Sequence, residues 1–295
     1  MKITFLGTSA MVPTRERNQP SILINYKTEN ILLDCGENIQ RQLKLINFSS
    51  AKITKLLITH WHGDHSLGIP GLIQSMAENN YSKTLEIYGP KSTRNFMNKV
   101  ISAFLLKNKI NYKVKEVKGK FFENKDFILE AHEMHHSSPC LAFSFVEKPR
   151  RRINLKYLKK FNLKKDPILK NLQNGKNIIY KGKKIKVRDA TIVVLGKKVA
   201  YITDTLLNKN CIRVAKKADI LICESTFSKE LKNTAREYMH LTTEDAAHIA
   251  KKAKVKKLIL THFSQRYKTT SQLEIEAKKI FKNTITAKDF MKIEL

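Results

Sequence analysis

The chain has 295 residues, 42% hydrophobic and 28% charged, enough for a sizeable core in one large domain or two smaller ones. No apolar run approaches the roughly 20 residues of a membrane span, and Met1 to Gly7 lacks a signal peptide's apolar region, so a cytoplasmic location is the default. A net charge of +30 and a pI near 9.9 imply an anionic partner, nucleic acid first and membrane surface second.

Short apolar runs broken by turn residues predict strands at 2–6, 22–26 and 31–35. Between the first two lies Gly7 to Asn18, a Gly/Ser/Pro loop carrying Arg15 and Arg17. It reads as plain surface or as a loop over an active-site edge. Asp34 ends the third strand, where it suits either a turn or a carboxylate that orients a ligand histidine. A helix follows at 38–47, a buried strand at 55–59, a helix at 70–77, a strand at 85–88 and an amphipathic helix at 92–107. Residues 111–117, 126–132 and 140–147 are three more strands by length and composition. Four cysteines, Cys35, Cys140, Cys211 and Cys223, stand too far apart for a zinc ribbon or a disulfide framework and read as reduced, mostly buried thiols.

Residues 147–187 differ from the rest. They hold 15 Lys/Arg against two acids, Glu147 and Asp166. Leu155, Leu158, Phe161 and Leu163 form a stripe too thin for a separate core, so the stretch reads as a protruding basic insertion with a short helix near 154–161. Such a concentration is an electrostatic footprint for phosphate backbone, and its binding should weaken steeply with salt.

Regular α/β alternation then resumes. Strand 198–203 ends in Asp204, helix 209–218 and strand 220–224 follow, and helix 242–252 has Thr242/Thr243 as cap with Asp245 in its first turn. Strand 257–261 ends in His262, before a helix at 272–281 and a last short strand near 286–293. Leu57-Ile58-Thr59-His60 and Ile259-Leu260-Thr261-His262 rhyme, which suggests two similar halves packed sheet against sheet with helices outside.

The densest chemistry is His60-Trp61-His62-Gly63-Asp64-His65. His60 and His62 project from one side of an extended or tightly turned segment, and Asp64-His65 turn back toward a second point. Two histidines for one ion and an Asp/His pair for another is a natural division. The donor set suits Zn²⁺, with Mn²⁺ or Fe²⁺ possible. Two ions need further ligands, and His136, Asp204 and His262 fit.

The motif resembles the signature of the metallo-β-lactamase superfamily and, within it, the chain is similar nearly end to end to the ribonuclease Z family. The resemblance is carried by Phe5 to Ser9, Pro13 to Asn18, Asp34-Cys35-Gly36-Glu37, Thr59 to His65, Gly68 to Leu72 and Tyr88-Gly89-Pro90. In the second half it rests on Asp204-Thr205, Glu224 to Phe227, His240-x-Thr242-Thr243 and Thr261 to Tyr267. It implies an α/β fold, an αββα sandwich of two packed sheets with outer helices. That would be a single domain over 1–295, with an inserted arm at 148–185 that grips tRNA far from the cut.

The resemblance also implies a zinc endonuclease that trims precursor tRNA 3′ ends, leaving a tRNA 3′-OH and a trailer 5′-phosphate. His60, His62 and His136 would hold one zinc, Asp64, His65 and His262 the other, with Asp204 bridging. His136 is preferred to its neighbours because Phe143 lies seven residues on, as in the family. Asp64 would also act as general base, and Glu224 with His240 would serve the leaving group. Arg15, Arg17, Ser264 and Arg266 would contact substrate phosphates. Family members are commonly homodimers. His132, His135, His248 and Trp61 take ordinary packing or surface roles. Two departures stand out: Cys223-Glu224-Ser225-Thr226 replaces the family's His-Glu-Ala-Thr, and Lys165-Asp166-Pro167 replaces a Gly-Pro turn in the arm. The alternative is a two-metal hydrolase of small phosphodiesters or thioesters, against which the basic arm argues.

Overall fold

Short runs rich in Ile, Leu and Val build two seven-stranded sheets. The computed structural model describes residues 1–295. The first sheet runs Lys292–Glu294, Lys2–Gly7, Ser21–Tyr26, Glu29–Leu33, Lys55–Leu57, Thr84–Gly89, Asn111–Glu116. It is antiparallel up to Glu29–Leu33 and parallel from there on. The second runs Thr284–Thr286, Lys257–Thr261, Ile220–Glu224, Lys198–Ile202, Cys140–Glu147, Phe127–Met134, Gly119–Glu123, and its first four strands are parallel.

Period-two alternation decides what each strand faces. Leu23, Leu32 and Leu56 pack outward with Ile39 and Leu43, Leu72 and Met76, and Met97, which lie on helices Ile39–Leu45, Ile69–Glu78 and Thr93–Ala103. Their chain neighbours Ile24, Ile31, Leu33 and Leu57 face Leu129, Phe143, Val199 and Tyr201 of the second sheet. On that sheet's other face Ile202, Leu221, Cys223 and Leu260 meet Val214, Ala250 and Leu273, from helices Lys209–Ala215, Thr243–Ala253 and Ser271–Lys278. The layers are therefore helix, sheet, sheet, helix, as the rhyming halves suggest. A parallel strand covered on both faces can be apolar throughout, and every residue of Ile220–Glu224 is buried. Helix Thr243–Ala253 begins with a capping box between Thr242 and Asp245. The four cysteines are buried and unpaired. No helix is long and apolar enough to cross a membrane.

The single last strand expected near 286–293 is instead two. Thr284–Thr286 extends the second sheet and Lys292–Glu294 the first. The chain changes sheets between them, with Phe290 in the left-handed region at φ 66°.

The chain divides into two compact units, one of residues 1–122, 129–145 and 198–295, the other of 123–128 and 146–197. The second unit contains the basic stretch. Strands Arg150–Ile153 and Thr191–Val194 pair antiparallel, and Ile178–Tyr180 with Lys183–Ile185 make a hairpin. Helices Leu155–Lys159 and Leu169–Gln173 lie between. The expectation of no separate core here is wrong. Leu158, Leu163, Leu172, Ile178, Ile185 and Ala190 form a buried cluster, with Tyr157, Phe161 and Tyr180 packed against it. The thin stripe around residue 158 is completed by apolar residues up to 32 positions later, which no local window joins. Where a Gly-Pro turn is absent, Asp166 accepts the Ile168 N–H on its side chain at 2.9 Å and the Leu169 N–H on its carbonyl at 3.1 Å. This is an aspartate-capped turn.

Candidate metal centre

The site is assembled from strand ends of both sheets. Asp34 and His60 to His65 follow Glu29–Leu33 and Lys55–Leu57. Asp204, Glu224 and His262 follow or end Lys198–Ile202, Ile220–Glu224 and Lys257–Thr261, and His136 comes just after Phe127–Met134. Three of these side chains sit on left-handed backbone: Asp34 at φ 56°, Asp204 at 26° and His262 at 61°. Such conformations cost non-glycine residues about 1–3 kcal/mol each and persist only where surrounding structure over-determines them.

Two ligand groups form. In the first, His60 Nε2 lies 3.0 Å from His62 Nδ1, and His136 Nε2 lies 3.2 Å from that same nitrogen. Asp204 Oδ2 stands 3.5 Å from His60 Nε2 and 3.8 Å from His136 Nε2. In the second, His65 Nε2 lies 3.2 Å from Asp64 Oδ2 and 3.3 Å from His262 Nε2. Asp204 Oδ1 stands 3.1 Å from His262 Nε2 and 3.5 Å from His65 Nε2. Asp204 thus gives one oxygen to each group.

These donors fit a metal. Four ligands tetrahedrally placed at about 2.0–2.1 Å from an ion stand roughly 3.3 Å from one another, the spacing found here. Five histidines and two carboxylates aim lone pairs inward, and Asp64 Oδ1 is buried with no hydrogen-bond partner. A buried polar atom without a partner is costly unless another ligand meets it. The cluster has the donor chemistry of a metal-binding site.

Further contacts fix the ring orientations. His65 Nδ1 donates to Asp34 Oδ2 at 2.8 Å. His136 Nδ1 donates to the Met239 carbonyl at 3.2 Å, and Thr226 Oγ1 meets His262 Nδ1 at 2.8 Å. Thr59 Oγ1, 3.2 Å from His60 Nδ1, donates in turn to Asp34 at 2.9 Å. Each contact leaves the opposite nitrogen facing the cluster. His62 alone uses Nδ1 inward, with Ser137 Oγ 3.4 Å from its Nε2. Thr59, Thr226 and Tyr201, whose hydroxyl donates to Asp34 at 3.0 Å, escape the sequence reading. For Thr59 the repeated Thr-His pairs at 59–60 and 261–262 were the available signal.

Protonation follows the same geometry. Burial opposes a charged His65, yet Asp64, Asp204 and Asp34 outweigh it and hold its pKa well above the usual value. Burial and the neighbouring His65 push His60 well below. Burial opposes ionised Asp64 and Asp204 too, but His65 and His262 keep both under the usual carboxylate range.

Glu224 and His240 adjoin the second group. Glu224 Oε2 accepts from His240 Nδ1 at 3.0 Å and from Thr226 Oγ1 at 2.6 Å, while Oε1 accepts the Thr205 N–H at 2.8 Å. Burial disfavours the His240 cation, but Glu224 and Asp204 raise its pKa to about 9.

The four residues expected at phosphates divide. Arg15 and Arg266 are exposed, and Arg266 lies 5.0 Å over the Phe227 ring with its Nε on Ser264 Oγ at 3.1 Å. Arg17 is buried, and its Nη2 donates to the Tyr267 carbonyl at 2.7 Å and the Ser264 carbonyl at 3.5 Å. Its guanidinium is committed to backbone, so it braces the loop rather than meeting solvent. Trp61 donates to Thr93 Oγ1 at 3.0 Å and stacks on Phe96 at 5.1 Å, and His135 and His248 are exposed outside the cluster.

Ribonuclease Z of Archaeoglobus fulgidus is 38% identical over 305 residues, covering 100% of this chain and 97% of its own. The chain belongs to the ribonuclease Z family. Ribonuclease Z of Methanosarcina mazei is 34% identical over 303 residues, covering 100% of this chain and 98% of its own. The crystal structure of the short form of human tRNase Z is 27% identical at TM-score 0.73, over 100% of this chain and 99% of that one. The metallo-β-lactamase fold protein YhfI from Bacillus subtilis shares the fold at TM-score 0.73 and 20% identity, with 100% and 98% covered. A family model described as Anti-Pycsar protein Apyc1 also matches residues 1–149, the half that carries the His60 to His65 motif. The fold of this ribonuclease Z family member is the metallo-β-lactamase αββα sandwich.

Proposed function

We propose that this ribonuclease Z family member is a two-zinc endonuclease that removes the 3′ trailer from precursor tRNA, leaving a tRNA 3′-OH and a trailer 5′-phosphate. The observation that carries the reading is Asp204, which offers Oδ2 to the His60/His62/His136 group and Oδ1 to the Asp64/His65/His262 group. Seven ligands in two groups with one shared carboxylate suit a pair of Zn²⁺ ions. Bound there, such ions would supply Lewis acidity and water of lowered pKa.

The chain's own groups divide the proton work. Asp64 turns Oδ2 toward His65 and His262, and Oδ1, unpartnered, is free to take a proton from an attacking water. Glu224 occupies His240 Nδ1 and favours the imidazolium, so His240 can give a proton to the departing 3′ oxygen.

The arm directs this chemistry. Its 15 Lys/Arg between 147 and 187 match a phosphate backbone, and we assign 148–185, an insertion in a single domain over 1–295, to gripping tRNA at a distance from the cut. Arg15, Ser264 and Arg266 are assigned to phosphates near the scissile bond. A homodimer in the cytoplasm, with the arm of one subunit serving the site of the other, completes the proposal.

Purified protein should hold about two zinc ions per chain and release a 3′ trailer from precursor tRNA, the cut mapped to the nucleotide. Zinc-loaded protein that leaves the precursor whole while cleaving a small chromogenic phosphodiester would overturn this reading in favour of a small-phosphodiester hydrolase.

A further inference from the structure

The last crossing between the sheets, from Thr284–Thr286 to Lys292–Glu294, is anchored to the first strand. Phe290 N–H donates to the Phe5 carbonyl at 2.7 Å, and Phe5 N–H to the Met291 carbonyl at 3.0 Å. Asp289 lies at this anchor. Its Oδ1 accepts Thr8 Oγ1 at 2.7 Å, and its Oδ2 accepts the Asn18 N–H at 2.7 Å and Gln42 Nε2 at 3.2 Å. One carboxylate therefore joins the end of the first strand, the end of loop 13–18 and helix Ile39–Leu45.

The other side of the loop is held by Arg17, on the carbonyls of Ser264 and Tyr267. The loop also closes on itself, with Thr14 N–H on the Arg17 carbonyl at 2.8 Å and Arg17 N–H on Thr14 Oγ1 at 3.0 Å. Arg15 stands exposed between these bonds. Thr8, the residue that Asp289 grips, continues toward the metal centre. Its carbonyl accepts the Phe263 N–H at 2.9 Å, and Phe263 directly follows His262.

We propose that Asp289 is a positioning residue that, with Arg17, fixes loop 13–18 so that Arg15 is presented to an RNA phosphate beside the metal centre. Burial raises the Asp289 pKa to about 6, against the opposing pull of its donors, so at neutral pH the carboxylate is an acceptor. The fixing of the loop stands on these contacts alone; the RNA phosphate rests on the function proposed above.

Two readouts separate the claims. Trypsin cuts after arginine only where the chain can open, so Asp289→Asn should speed cleavage after Arg15 by about fivefold or more relative to cleavage at sites outside the loop. Thr8→Val, which removes one donor and keeps the shape, should move cleavage the same way. On metal-loaded enzyme, Asp289→Asn should raise KM for precursor tRNA about tenfold with kcat and small-phosphodiester hydrolysis unchanged. In an Arg15→Ala background the same change should add almost nothing, and Asp289→Glu should restore part of the loss. Wild-type trypsin cleavage in both Asp289→Asn and Thr8→Val overturns the clip. A full, additive loss on top of Arg15→Ala overturns the presentation of Arg15. A wild-type protein inert on precursor tRNA overturns the parent function and leaves the trypsin result to decide the clip.

Discussion

Asp34 and His65, 31 residues apart in sequence, share a 2.8 Å hydrogen bond between Oδ2 and Nδ1. The same carboxylate accepts the Thr59 N–H at 2.7 Å and the Tyr201 hydroxyl at 3.0 Å. It holds the His65 ring with Nε2 toward Asp64, Asp204 and His262. Removing it as Asp34→Ala should weaken metal binding by roughly 10- to 100-fold while leaving every ligand in place. Competition against a chelator of known affinity measures this, and wild-type affinity would exclude Asp34 from the site.

Metal binding should expel protons. Without metal, the carboxylates around His65 hold its imidazolium at neutral pH, whereas a ligand nitrogen must be bare. Loading metal-free protein at pH near 7 should release about one proton or more per chain. Titration calorimetry in two buffers of different ionisation enthalpy would show the difference, and equal heats would exclude it.

His240 should titrate differently in the metal-free and loaded states. Its metal-free pKa is raised to about 9, above an unfolded value of 6.5. The Glu224 pairing therefore contributes stability fully present below pH about 6.5 and lost as pH rises through about 9, on the order of 3 kcal/mol. Added positive charge beside His262 should pull the pKa down. NMR titration of His240 in both states tests the direction, and denaturation of metal-free His240→Gln should lack the alkaline loss.

The arm's core predicts a separable defect. Leu158 and Leu172 are fully buried in its cluster, so truncating either to alanine should destabilise the arm by about 2–5 kcal/mol. The variants should bind precursor tRNA weakly, with a shallower dependence on salt, and still hydrolyse a small phosphodiester. A parallel loss of both activities would contradict the division of labour.

Much of this was legible early. His60-Trp61-His62-Gly63-Asp64-His65 announces a metal because four ligands lie within six residues. Asp204 and His262 were visible as polar residues closing apolar strands. Tyr201 was not, since its hydroxyl meets Asp34 across 167 residues, and Asp289 was hidden for the same reason, gripping Thr8 across 281. Arg17 read as a free cation because charge is seen in a sequence and burial is not. The arm's core was missed because Leu158, on a short helix, meets Ile178 and Ile185, paired in a hairpin later in the chain, only in the folded cluster and not through helical spacing.

By itself the sequence determined the donor types, the alternation that stacks two sheets and the concentration of positive charge in one insertion. These are properties of residue identity and local spacing. Only the tertiary structure decided which nitrogen of each histidine faces inward, that Asp204 divides its oxygens between two groups, and that Arg17 is a brace while Arg15 stays exposed. Those outcomes depend on pairings between segments far apart in the chain. Strand register and sheet packing set them, and an ångström there separates a ligand from a bystander.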